Sequence, residues 1–160
     1  MIDPVLRRPP LQGLARFFTH PVVAGIIFTT TVGIWHAPWL YDLALQDKVV
    51  HVVEHLMFFG GAVLYWWPML SPSRVLPPIP YAAQLLYLIA VIIGMTPVFA
   101  YITFSQDILY PTYEFAPRLF PNFSAVDDQL LAGVIMKIVG MFVAMGAFLR
   151  AFYLWYQEKK

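Results

Sequence analysis

Four apolar runs, each about 20 residues long, constrain the fold of this chain more than any other feature. They cover approximately residues 21–41, 49–67, 81–104 and 129–156. Wound as helices, runs of that length match the hydrocarbon thickness of a bilayer. No two-residue alternation runs through them, which argues against barrel strands. Composition agrees. Only 12% of the residues are charged and 60% are hydrophobic, whereas a soluble domain has roughly a quarter charged. The expected fold is all-α: a polytopic membrane four-helix bundle over 21–156, with an N-terminal segment 1–20 and a tail 157–160. Pro21 suits a helix start, since its missing N–H would have no partner there. Pro68 suits a stop, and Gly94 and Pro97 predict a kink in the third span.

Basic residues set the orientation. Arg7, Arg8 and Arg16 precede the first run, Arg74 lies between the second and third, and Arg150, Lys159 and Lys160 are at the C-terminal end. With four spans all of these fall on one side, so both termini are expected in the cytoplasm. The opposite side holds Lys48 and Arg118 among a larger set of acids. A signal peptide is the competing reading of the N-terminus. The run from Pro21 contains TTT and WHAPW and no small-residue cleavage site, which favours a retained anchor. No basic run suggests nucleic acid.

Cysteine is absent, which excludes disulfides, thiolate ligands and cysteine nucleophiles. A soft-metal site must then use histidine and methionine. His51 and His55 are one helical turn apart, and Glu54 shares their side of the helix. His36 sits at the same end of the first run, and Asp128 and Met136 reach a similar level from the fourth. Ionisable groups inside spans are costly and usually face the bundle interior. The expected site therefore gathers His36, His51, His55 and Met136 as metal ligands, with Glu54, Asp128 and Lys137 around them. Histidine with methionine suits copper; histidine with carboxylate suits zinc or iron. The alternative is that His51 and His55 only hydrogen-bond between helices. Lys137, a cation inside the fourth run, is expected either to meet Glu54 or to snorkel outward along its own stem. Tyr110 and Tyr113 read as interfacial anchors. Gly140 and Ala144 form a small-xxx-small pair, read as close packing within the bundle.

The stretches HPVVA, WHAPWLYDLAL, VHVVEHLMFFGGAVLYWWPML, ILYPTY and DDQLLAGVIM, in that order, resemble the CtaG family of cytochrome c oxidase assembly factors. Trp35, His36, Pro38 and Tyr41 match one family motif. His51, Glu54 and His55 match a second; Asp128, Gln129, Gly133 and Met136 match a third. The resemblance implies a multi-pass protein of the bacterial inner membrane, not an enzyme, that binds or transfers copper for a haem–copper oxidase. Its partners would be membrane lipid and oxidase subunits. Family members are usually longer, and this chain resembles their C-terminal four helices. Lys137 stands where the family usually has tryptophan. Two other readings stay open: a structural subunit of a respiratory complex, and a zinc metalloprotease built on the H-x-x-E-H spacing of residues 51–55.

Overall fold

The computed structural model describes residues 3–118 and 120–160. Their regular structure is all helical, without strands, in the order α1 (Asp3–Leu6), α2 (Pro9–Phe18), α3 (Pro21–Trp35), α4 (Pro38–Gln46), α5 (Lys48–Leu70), α6 (Tyr81–Phe104) and α7 (Ala125–Glu158), with a 3-10 turn at Pro111–Tyr113.

Proline sets most of the boundaries in the first third of the chain. It disfavours helical geometry in the residue before it, and Arg8, His20 and Ala37, each preceding a proline, are extended. The apolar stretch 21–41 is accordingly not one helix. It ends at His36 and restarts at Pro38 as α4. At its other end α3 meets α2 across Thr19–His20 with a bend of 62°. Proline near a helix C-terminus acts more weakly. Pro68 does not stop α5, which runs two residues further, and α6 passes through Gly94 and Pro97 without a break. Polar caps fix the other starts. The Asp47 carboxylate accepts from the N–H groups of Val49 (2.7 Å) and Val50 (3.1 Å). Ser124 and Asp127 form a capping box at α7, satisfying donors that a helix start leaves free.

The chain has two ends. At one, Asp3 accepts hydrogen bonds from the Ser73 hydroxyl (2.5 Å) and the Arg74 N–H (3.2 Å), tying α1 to the loop between α5 and α6. At the other, Tyr110 donates to the His36 carbonyl at 2.9 Å, tying the α3–α4 break to the loop between α6 and α7. The chain therefore passes between the two ends four times: through α2–α3, α5, α6 and α7. α5, α6 and α7 are each long and apolar enough to cross a membrane, and the bent α2–α3 pair is a fourth candidate. Of their apolar windows, 17%, 22% and 11% is buried within α5, α6 and α7 respectively. The remainder faces outward and needs an apolar solvent.

α3 packs between α5 and α6, and α6 and α7 form the most extensive pair. The helices thus form an arc, α5–α3–α6–α7. Tyr65, Met69, Tyr87, Leu88 and Val91 make its core, where the Tyr87 hydroxyl donates to the Tyr65 carbonyl at 3.0 Å. Close approach of α6 to α7 depends on Gly133. A Cβ there would lie 2.5 Å from the Thr103 hydroxyl oxygen and 3.3 Å from Ile102.

Candidate metal centre

α5 starts at the Asp47 cap, and the helical period then places His51, Glu54 and His55 together near its first turns. One ligand atom from each lies within 4.8 Å of the others. A single Glu54 carboxylate oxygen is 3.9 Å from Nδ1 of both His51 and His55. The imidazole rings are 4.4 Å apart, centroid to centroid. Two ligands bound to one ion at about 2 Å sit up to about 4 Å apart, so small rotamer changes bring this set to bonding distance. Exposure is uneven: the side chains of His51 and His55 are 47% and 67% exposed, that of Glu54 only 10%. The carboxylate forms the floor, and the imidazoles stand on the open side.

Hydrogen bonds select the free nitrogens. His55 Nδ1 lies 3.1 Å from the His51 carbonyl, and His36 Nδ1 lies 2.7 Å from the Val32 carbonyl. A carbonyl only accepts, so each Nδ1 carries hydrogen. In the neutral ring Nε2 then keeps its lone pair, so His55 joins an ion beside Glu54 only when its ring turns to present Nε2 or gives up the bond to the His51 carbonyl.

The residues expected to form one site from three helices occupy two places. His36 does not join the α5 group; its ring packs 6.3 Å from Phe58 and 6.4 Å from Tyr41. With Tyr41, Tyr110, Asp128, Gln129 and Met136 it lines a separate cavity of about 320 Å³. Asp128 is engaged elsewhere, in an ion pair with Arg118 at 3.1 Å. The Arg118 guanidinium also donates to the carbonyls of Tyr113 and Glu114, both at 2.7 Å. Together these contacts clamp the α6–α7 loop. Lys137 does not meet Glu54. Its Nζ sits over the Phe99 ring, 5.1 Å from the centroid. Among the described residues, the acid groups within 4 Å of a basic side chain are Glu54, beside its two histidines, and Asp128, beside Arg118.

Three residues matter here that their sequence context did not reveal. Tyr110 and Tyr113, read as membrane anchors, form the cavity wall. The Tyr41 and Tyr110 rings are 4.5 Å apart, and the Tyr41 and Tyr113 hydroxyls 3.4 Å. Burial pushes the Tyr110 phenol up to about 12, so it remains a hydrogen-bond donor at neutral pH. Gln129 braces the loop, accepting from Leu109 N–H (2.8 Å) and donating to the Asp107 carbonyl (3.2 Å). These contacts join residues 20 or more positions apart, and no local pattern announces them. Tyr41, ILYPTY and Gln129 do recur among the motifs that carry the family resemblance.

A helical membrane protein with a histidine–carboxylate–histidine group beside the cap of one long helix is the class these features define. Within it, the chain belongs to the cytochrome c oxidase caa3 assembly factor (CtaG) family, whose pattern it matches over residues 3–158. No curated protein and no solved structure matches it.

Proposed function

We propose that this protein is a multi-pass assembly factor of the bacterial inner membrane that holds copper at His51, Glu54 and His55 and passes it to a haem–copper oxidase. Family membership supports the assembly role. The clustering of the three potential ligands within 4.8 Å on α5 supplies a place for an ion; the family's service to a haem–copper oxidase is what points to copper, since imidazole with carboxylate equally suits zinc or iron. Two imidazoles and a carboxylate on one helix leave the exposed side open to a ligand from a donor or an acceptor. Such a set suits cargo that must leave again, since a structural site is normally closed by four protein ligands. Acidic residues Asp42 and Asp47 on α4 and at its end would attract cations to the same end of the molecule.

The zinc-protease reading of H-x-x-E-H needs a third protein ligand beside the two histidines, with the glutamate left free as base. Here the ligand group is His51, Glu54 and His55 alone among the described residues, and Glu54 is itself part of it. Metal analysis of the purified protein under reducing conditions tests the copper reading. Wild type should hold copper, and His51→Ala with His55→Ala should lose at least about tenfold in affinity, the usual scale for removing groups around a metal. Equal copper in wild type and double variant would end the proposal.

A further inference from the structure

The arc of helices leaves a crevice between α5 and α7, which have little direct contact with one another compared with α6 and α7. It encloses an apolar cavity of about 280 Å³. Phe28 of α3 and Met95 and Phe99 of α6 form its floor, and Trp66 of α5 and Met141 of α7 stand at its sides. Gly140 of α7 opens onto empty space, as Gly60 and Gly146 also do, so it gives room without marking the site. One feature of α7 sets this crevice apart from ordinary lipid-facing surface. Lys137, one turn away, also lines the cavity and carries the only full positive charge there. The small-xxx-small pair thus does not close a contact inside the bundle at Gly140; it lines an open slot.

Lys137 lies eight residues beyond Gln129, roughly 12 Å along α7. Its stem does not carry the ammonium back to the end of the bundle. Nζ rests over Phe99, five residues short of the end of α6. None of the ion pairs among the described residues includes it. A cation held at that depth calls for an anion at the same depth. Phospholipid headgroups gather at the interface, so one would have to sink past the last turn of α6 to meet it. Glu54 is buried and faces its two histidines, and Asp127 and Asp128 lie in the first turn of α7, roughly 14 Å short of Lys137 along the helix, so a second copy offers no charge at the matching depth.

We propose that the α5–α7 crevice receives a transmembrane helix of an oxidase subunit, with an Asp or Glu of that helix pairing with Lys137 and its backbone approaching Gly140. The identity of the partner rests on the assembly-factor reading; the slot and the charge do not. A photo-crosslinking residue in place of Gly140, in the full chain expressed with the oxidase subunits, tests it. The adduct should map to a transmembrane segment of an oxidase subunit, within one helical turn of an acidic residue. Lys137→Met should cut its yield about tenfold or more, as loss of a desolvated charge pair does, and Lys137→Arg should largely retain it. Adducts with lipid alone, with a second copy or with no protein would overturn the proposal, as would equal yield from Lys137→Met. Copper content of Lys137→Met should equal wild type, so a failure here is distinguishable from failure of the metal reading.

Discussion

At the scale of single residues, some buried polar side chains find partners, as Ser73 and Gln129 do, while Trp35, Asp42, Trp67 and Thr103 each bury an atom without one. Thr103 belongs to the second kind. Its hydroxyl is buried without a hydrogen-bond partner and occupies the space that the missing side chain of Gly133 leaves. Gly133→Ala should therefore force α6 and α7 apart and destabilise by about 1–3 kcal/mol, the usual cost of overpacking. Thr103→Ala removes the obstructing oxygen. The double variant should recover part of the loss, giving a coupling of about 0.5–3 kcal/mol between the two sites. Thermal unfolding of the four proteins in one detergent checks this; strictly additive effects would contradict the contact.

Elements show what the sequence revealed and where its information stopped. α5, α6 and α7 were legible because hydropathy over 20 or more residues outweighs local propensity. The grouping of His51, Glu54 and His55 was legible too, since helical periodicity alone fixes it. The place of His36 was not, nor was the Lys137–Phe99 contact, because depth along two helices does not fix their rotation. The N-terminal element offers a test of its own. Hydrogen bonding from Ser73, supported by the Arg74 N–H, holds the Asp3 carboxyl below its ordinary 3.8. A carboxylate lowered on folding stabilises the docked form above its ordinary pKa. That contribution fades as pH falls through the lowered value. α1 should thus stay docked on the 71–76 loop near neutral pH and loosen below about 4. Asp3→Asn should be loose at every pH. Hydrogen exchange of the backbone amides of Ser73 to Leu76, followed from pH 6 to pH 3 with correction for intrinsic exchange rates, reads this out; a flat profile in wild type would contradict it.

For the whole molecule, the arrangement of ends decides whether the proposed copper group can do its work. The α1 contact with Ser73 and the path of α7 place Arg7, Arg74 and Lys160 at one end. His51, Glu54 and His55 lie at the other, with the Tyr110 loop. From the excess of lysine and arginine we propose that the first end is cytoplasmic. The histidines then face the outer side, where copper bound for an oxidase would have to be received. Absence of native cysteine makes the orientation measurable with single substitutions at exposed positions. In bacterial cells whose outer membrane has been made permeable, a maleimide that cannot cross the inner membrane should label Thr112→Cys directly. Arg74→Cys and Lys160→Cys should react only after the inner membrane is opened. The reverse pattern would put the histidine group in the cytoplasm and remove the basis for delivery on the outer side, while leaving the helix packing untouched. Labelling of Arg74→Cys and Lys160→Cys from opposite sides would be more serious. It would require an odd number of crossings after residue 74, whereas α6 and α7 together make two.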